Sequence, residues 1–320
     1  MQYHHLTVSR IRMTAVVAVF ALAGCSATGS DGAAGRTEPP LGSVPAMLRT
    51  VDVGFPLDAY EATPEQHNTL TRAQNVLIGQ CMSRLGFAYR PPAQPQVPTT
   101  GMNARIFGLA DPDAAARYGY MNPSVAKAQT PPAPAKPPTQ AELLALNGKD
   151  DLQPTDLPAT LEEAEKAGGS EVTFNGHKVP VGGCARESFL KLYARKANEV
   201  DVLFVFNLRG EAESKAREDS RIRAVDKKWS QCMAKAGYTV NDPMKAPKEL
   251  GFAGPELSGP RAVTAAKADV QCKEQVNLVG VHYVVTKAYQ QQLIEQHAET
   301  LALVKEQVDS RLKLAASLTH

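Results

Sequence analysis

The spacing of apolar residues in the last part of the chain predicts helix. From Arg261 to about Ala316 the sequence contains no proline and one glycine, Gly280. Apolar residues repeat there every seven positions, at Ile294, Leu301, Val308 and Ala315, with Val304 and Leu312 beside them. This pattern predicts one long amphipathic helix, with Gly280 as the place of a bend. We expect its apolar face to pack within the same chain rather than in an intermolecular coiled coil.

Two distant segments have nearly the same sequence. Ile78–Pro92 (IGQCMSRLGFAYRPP) and Trp229–Pro243 (WSQCMAKAGYTVNDP) share Gln-Cys-Met, then three residues, a glycine and an aromatic residue. Both predict the end of a helix, with the glycine in a left-handed conformation and the aromatic side chain folding back. With Thr63 and Asp219 as N-caps, the two helices are predicted to run from Thr63 to about Leu85 and from Asp219 to Ala236.

The region between the two copies gives weaker signals. Residues 91–139 are rich in proline and are predicted to form a weakly ordered insert with one short helix near 112–118. Thr139 and Glu142 form a capping box that predicts a short helix ending at Gly148. Asn175-Gly176 predicts a β-hairpin of two short strands.

From Gly183 onwards the pattern is helical. Residues 184–198 are predicted as one helix. The apolar run EVDVLFVFNL (199–208) fits a strand or a buried helix, and the helical pattern on both sides favours the helix. The sequence therefore predicts a mainly α-helical domain over residues 51–320. We expect a disulfide-stapled helical bundle with a long C-terminal helix and a small β-hairpin.

The N-terminus carries an export signal. Arg10 and Arg12 precede a short apolar stretch, residues 13–22, that is too short to span a bilayer as a helix. Leu22-Ala23-Gly24-Cys25 resembles the lipobox of bacterial lipoproteins, which implies cleavage before Cys25 and a diacylglyceryl group on its thiol. Residues 1–24 are then a signal peptide and residues 25–50 a flexible tether. The alternative is an ordinary signal peptide with a chance cysteine.

The net charge of the mature chain narrows the classes of partner that we expect. The signal peptide holds two of the 35 Lys and Arg and none of the 33 Asp and Glu, which leaves 33 of each. A net charge of zero argues against nucleic acid as a partner and against a broad surface that binds anionic lipids. We therefore expect the lipid on Cys25 to be the contact with the membrane, at the extracytoplasmic face.

Four further cysteines remain in the mature chain: Cys81, Cys184, Cys232 and Cys272. An even number in an exported protein indicates two disulfides, and four cysteines allow three pairings. Because Cys81 and Cys232 end similar helices and each is followed by a cysteine at the start of or inside a later helix, Cys81–Cys184 with Cys232–Cys272 is the economical choice. The absence of a Cys-x-x-Cys motif makes a zinc site an unfavourable alternative.

Several segments together resemble a largely uncharacterised family of exported lipoproteins from high-GC Gram-positive bacteria. These segments are FPLDAY (55–60), the two Gln-Cys-Met copies, VPVGGCARE (179–187), ADVQCKEQ (268–275) and AYQQQLIEQ (288–296). The resemblance covers nearly the whole mature chain. It implies an envelope location and a helical body with two disulfides, and it carries over no catalytic residues.

Few residues suggest a catalytic or a metal-binding role. Cys184 follows two glycines at a helix N-terminus, where a thiol pKa can fall, but a half-cystine is the favoured interpretation. His282 and His297 lie too far apart on the predicted helix to bind one metal, and no motif for a cofactor, a phosphate or a serine nucleophile is present.

Three functions are consistent with this pattern. The first is a non-enzymatic binding or accessory protein of the cell envelope, whose partner is a transporter, a sensor or a cell-wall component. The long helix and the apolar run near Val202–Leu208 are its candidate surfaces. The alternative is a cell-wall hydrolase that uses Cys184. A transporter receptor is disfavoured because its usual two α/β lobes need more strands than the sequence predicts.

Overall fold

The computed structural model of the chain describes residues 38–46, 50, 53–91, 103–122 and 137–319. The predicted signal peptide and Cys25 lie outside these residues. The described helices begin and end as follows: α1 Pro64–Arg84, α2 Pro112–Tyr118, α3 Gln140–Asn147, α4 Leu161–Ala167, α5 Gly183–Tyr193, α6 Phe204–Arg217, α7 Ser220–Lys235, α8 Ala246–Glu249, α9 Pro260–Gln275, α10 Leu278–Gln296 and α11 Ala298–Thr319. Short 3-10 helices lie at Pro56–Tyr60, Pro154–Asp156 and Gly254–Ser258.

The predicted fold class is confirmed. The described part of the chain is mainly helical, and its single sheet consists of β1 Thr173–Phe174 and β2 His177–Lys178. The strands pair antiparallel around Asn175 and Gly176, which both have positive φ as a tight hairpin requires. At 22 residues, α11 is the longest of the described helices. Among them, none combines the length and the apolar composition that a membrane-spanning segment requires.

The helices form three contacting groups. α1 packs against α5 and α11, α10 packs against α6 and α7, and α9 packs against α2 and α7. The interior of the last group surrounds Trp229 and Met233, which are fully buried. α7 and α10 each contribute side chains to this cluster and to a second one around Leu208 and Leu293, so they lie between two parts of the core.

The two sequence copies end their helices in the same way. Gly86 and Gly237 have φ values of 86° and 88°. In the first copy the amide of Phe87 donates to Met82 O at 2.9 Å, and in the second the amide of Tyr238 donates to Met233 O at 2.9 Å. These are the backbone bonds that close a helix when a left-handed glycine follows its last turn. The prediction for both helix ends is confirmed.

Two disulfides join the helices. Cys81 pairs with Cys184 and Cys232 with Cys272, at Cα–Cα distances of 5.6 and 5.7 Å. This is the pairing that the repeated sequence predicts. The first bond ties α1 to α5, and the second ties α7 to α9.

The C-terminal region differs from its prediction. The single helix expected from Arg261 to Ala316 is wrong, because the region forms three helices, α9, α10 and α11. The chain breaks at Asn277, which takes a left-handed conformation with φ of 52°, and again at His297. Asn tolerates this conformation better than most residues. Gly280, the expected bend, lies buried inside α10.

The region after Cys184 also differs. The helix predicted for 184–198 ends at Tyr193, and the next helix begins only at Phe204. Side chains bond to the backbone in between: Glu199 accepts from the Arg195 amide at 3.0 Å, and Asp201 accepts from the Leu203 amide at 2.7 Å. Such bonds compete with helix formation. The prediction of a buried helix over 199–208 is thus wrong for its first half, and Phe206 is 66% exposed.

Part of the predicted tether and part of the predicted insert lie against the helices. Glu38 accepts hydrogen bonds from the Ser220 amide at 2.6 Å and from its hydroxyl at 2.8 Å. Pro45 O accepts from Asn277 Nδ2 at 3.1 Å. In the insert, the described residues 103–122 contribute buried side chains to the core: Phe107, Leu109, Ala115 and Tyr120. Weak order was predicted for these residues, and the packed structure differs from it.

Candidate ligand-binding cleft

A cleft of about 370 Å³ opens where five segments meet. α6 provides one wall, α7 and α10 provide the floor, and the loop 241–245 and residues Ile106 and Phe107 close the remaining sides. The polar lining residues are Glu213, Arg217, Asp226, Asn241, Asp242, Lys245, His282 and Thr286. The apolar lining residues are Ile106, Phe107, Ala216, Ile222, Pro243 and Met244. Its size falls in the range of small-molecule sites.

The repeated helix end delivers one wall of the cleft. After Gly237 the chain leaves α7 and turns through Asp242, which lies immediately before a proline. The Asp242 carboxylate accepts from the Met244 amide at 2.8 Å and from Lys245 Nζ at 2.7 Å. These local bonds fix the loop, so that Asp242 and Lys245 keep their positions at the rim.

Asp226 and His282 form the centre of the floor. Asp226 belongs to α7 and His282 to α10, and Asp226 Oδ1 lies 2.7 Å from His282 Nε2. The His282 side chain is 8% exposed, and that of Asp226 is 25% exposed. The edge of His282 also meets the ring of Phe107, with centroids 5.5 Å apart. The pair therefore presents a partly accessible carboxylate held by a buried imidazole.

Two ion pairs and one hydrogen-bonded pair surround the cleft. Besides Asp226–His282, Lys245 Nζ lies 2.7 Å from Asp242 Oδ2 and Arg217 Nη2 lies 3.8 Å from Glu213 Oε2. Burial raises the pKa of Asp242, but the hydrogen bonds from Lys245 and the Met244 amide and the charges of Lys245 and Arg217 outweigh burial and lower the pKa overall. Asp242 is consequently a carboxylate at neutral pH.

The lining of the cleft consists mainly of charged and apolar side chains. Thr286 is the one hydroxyl-bearing side chain among the lining residues, and none of them is a cysteine or a serine. In the part of the chain that the structure describes, no group of three or more His, Cys, Asp and Glu is placed to hold a metal ion. What the cleft offers is charged side chains of both signs together with apolar ones.

The residues singled out from the sequence lie in different places. Cys184 is fully buried and its sulfur is bonded to Cys81, so it cannot act as a nucleophile in this state. His297 packs edge-on against Phe204, with centroids 5.6 Å apart. His282 is buried and paired with Asp226. Its partner is 56 residues away, and no local signal in the sequence connects the two positions.

Comparison with known proteins does not add to this geometry, since no family model, curated protein or solved structure matches the chain.

Proposed function

We propose that the protein is a lipid-anchored, extracytoplasmic binding protein of the cell envelope and that it is not an enzyme. The cleft around Asp226 and His282 is its ligand site. The ligand is a small molecule that carries both an ammonium and a carboxylate group, such as an amino acid or a short peptide. The anchored protein would present this ligand to an envelope partner, namely a transporter, a sensor or a cell-wall component.

The observation that carries the ligand class is the presence of acidic and basic side chains in one cleft. A ligand ammonium can pair with Asp226 or replace Lys245 at Asp242, while a ligand carboxylate meets Arg217 or Lys245. Hydrogen bonds between ionised groups are about twice as strong as neutral ones. Because both signs are held within one cleft of about 370 Å³, a molecule with only one charge would leave part of the lining unmatched.

The proposed location rests on two observations. The segment Leu22-Ala23-Gly24-Cys25 resembles a lipobox. The two disulfides are of the kind that persists in oxidising compartments and is rare in the cytosol. Neither observation depends on the cleft, so the location and the ligand are tested separately.

A Cys25→Ala variant tests the anchor. In cells fed an alkyne-labelled fatty acid, the natural chain should incorporate the label and enter the detergent phase on phase separation. The variant should lose both properties. Label retained in the variant, or a natural chain that stays in the aqueous phase, would refute the lipid anchor.

A panel of free amino acids and of dipeptides and tripeptides tests the ligand. The full chain, purified in detergent, is titrated with each compound and followed by calorimetry. We expect at least one compound to bind, and we expect Asp226→Asn and Asp242→Asn to weaken that binding. Asp150→Asn removes an exposed carboxylate outside the cleft and serves as the control. The ligand proposal fails if no compound binds, or if all three variants behave alike.

A further inference from the structure

A second concave surface lies beside the Cys232–Cys272 disulfide. It is an open groove of about 560 Å³ between α7 and α9. We call it the disulfide groove, and its lining residues are Lys228, Gln231, Cys232, Lys235, Ala236, Ala268, Gln271, Cys272, Gln275 and Val276. None of them lines the ligand cleft, so the two surfaces are independent.

The first copy of the repeat is an internal reference for this groove. The copies align without a gap, so that Arg84 corresponds to Lys235 and Leu85 to Ala236. In each copy the second cysteine of the disulfide lies in a helix, and a polar residue follows it three positions later in the same helix. That residue is Glu187 in the first copy and Gln275 in the second.

The cation of the first copy has a carboxylate partner, but that of the second copy does not. Arg84 Nη2 lies 2.6 Å from Glu187 Oε2, directly beside the first disulfide. In the second copy Gln275, which has no charge, lies over the disulfide with Oε1 3.3 Å from Cys232 Sγ. Among the described residues, neither Lys228 nor Lys235 has an ion-pair partner. Within the described part of the chain, the groove therefore carries two positive charges without an ion-pair partner.

The first disulfide is also covered by the chain itself. α3 packs on α1 and α5, and its Ala145 shares an apolar cluster with Leu85, Cys81 and Cys184. Leu85 in this cluster is 2% exposed. At the corresponding position Ala236 is exposed, and no described element packs over it. One copy thus holds a short helix across its disulfide, whereas the other is open.

We propose that the disulfide groove binds a short helical segment of a partner protein that carries acidic side chains. The internal reference indicates a helix, because α3 occupies this position in the first copy. The charges indicate acids, because no carboxylate of the described residues pairs with Lys228 or Lys235. The two lysines lie seven residues apart on α7, which corresponds to about 10.5 Å along a helix. The partner's acidic residues therefore lie about two turns apart.

A designed peptide can serve as the probe. It is an end-capped, fluorescent helix of about 15 residues with an alanine and leucine face, long enough to form helix in water. Two glutamates stand seven positions apart on it, and a second peptide has glutamine at both places. Binding to the full chain in detergent is measured by fluorescence anisotropy. We expect the glutamate peptide to bind at least about tenfold more tightly than the glutamine peptide.

Two variants decide whether the groove is the site. Lys228→Gln with Lys235→Gln removes both groove charges and should abolish the preference for the glutamate peptide. Arg223→Gln with Lys227→Gln removes the same charge from exposed positions of α7 that do not line the groove. This control should leave the preference unchanged. All four residues are exposed, and circular dichroism with thermal unfolding verifies that each variant is folded.

The other outcomes overturn the proposal. Equal binding of the two peptides would show that acidic side chains are not recognised. An equal loss in both variants would show that only the overall charge matters. Poly-L-glutamate is a flexible polyanion at neutral pH. If it displaced the helical peptide completely at the same carboxylate concentration, the groove would be a site for anionic polymers rather than for a helix. None of these outcomes affects the ligand cleft, whose residues are different.

Discussion

Trp229 donates its indole N–H to Asp269 Oδ1 at 2.9 Å, and this bond joins α7 to α9 in the interior. The same carboxylate faces Lys273, one turn further along α9, with Nζ 3.2 Å from Oδ1. Both side chains of this ion pair are 1% exposed. Lys273 Nζ also donates to Leu109 O at 2.8 Å. A buried charge pair therefore holds the described part of the Pro-rich region against the core.

Replacing Asp269 by asparagine should destabilise the fold severely. The substitution leaves the ammonium of Lys273 buried without its countercharge. Removing one partner of a buried ion pair costs about 3–5 kcal/mol. Unfolding by guanidinium chloride measures the free energy of unfolding of both chains.

A double replacement provides the control for this prediction. Asp269→Leu together with Lys273→Met removes both charges and keeps the volume apolar, which is often neutral for a buried pair. It should cost less than Asp269→Asn alone, although Trp229 loses its acceptor. A double variant at least as unstable as the single one would show that the pair itself stabilises the fold.

The helix ends and the hairpin were predictable from sequence because their causes are local. Gly86 and Gly237 take the left-handed conformation that a side chain disfavours, and Asn175-Gly176 sets the hairpin turn within two residues. The disulfide pairing followed from the similarity of the two copies. In each case the residues that decide the structure are adjacent or repeated.

The remaining features depend on packing between distant segments. The break at Asn277 interrupts a pattern that continues as helix on both sides, and Gly280 is the more obvious place for a bend. Asp226 and His282 lie on two helices whose relative position no periodicity specifies. The ligand cleft as a whole combines five segments, so its composition becomes visible only in the folded chain.

Acid should weaken the fold partly through Glu187. Burial raises its pKa, but hydrogen bonds from Lys191 and Arg84 and their charges outweigh burial, so that the pKa is lowered overall. A carboxyl whose folded pKa is lowered stabilises the fold above its unfolded pKa, about 4.3. This contribution is lost as the pH falls through the folded pKa. We expect Glu187→Gln to cost about 1–2 kcal/mol at pH 7.

The pH dependence separates this effect from a simple packing defect. The free energy of unfolding is measured at pH 7 and at about pH 3. The difference between the natural chain and Glu187→Gln should shrink at the lower pH, because protonation of Glu187 removes the charge that Lys191 and Arg84 stabilise. Glu165→Gln changes an exposed glutamate of α4 and should show no such dependence. A constant cost of Glu187→Gln at both pH values would contradict the role of its charge.

Removing a disulfide should destabilise the fold, and the loss should be larger for Cys81–Cys184 than for Cys232–Cys272. The Cys81–Cys184 bond closes 103 residues and the Cys232–Cys272 bond closes 40. The loss of chain entropy in the unfolded state then gives about 5 kcal/mol for the first bond and about 4 kcal/mol for the second. Paired Cys→Ala variants and urea unfolding measure both. Peptide mapping without reductant should find these two pairs, and a free thiol at Cys184 would refute the structural role of that residue.

Gly280→Ala should loosen the segment 38–46 from the body of the protein. Gly280 lies in α10, and a Cβ at this position would stand 2.2 Å from Pro45 O and 2.6 Å from Asn277 Oδ1. Pro45 O is also the acceptor of the Asn277 side chain, so the collision breaks the contact that holds this segment. Overpacking of this kind costs about 1–3 kcal/mol. Hydrogen exchange of residues 38–46, followed by mass spectrometry, should become faster.

Gly210→Ala is the matched control, because Gly210 lies inside α6 with open space around the added Cβ. There the alanine gains up to about 1 kcal/mol of helix propensity without a collision. We therefore expect Gly210→Ala to raise the free energy of unfolding and to leave the exchange of residues 38–46 unchanged. If Gly280→Ala also stabilised the chain and the hydrogen exchange of residues 38–46 stayed slow in this variant, the close approach of Pro45 to α10 would not exist in solution. Residues 38–46 would then belong to the free tether that the sequence predicts for residues 25–50.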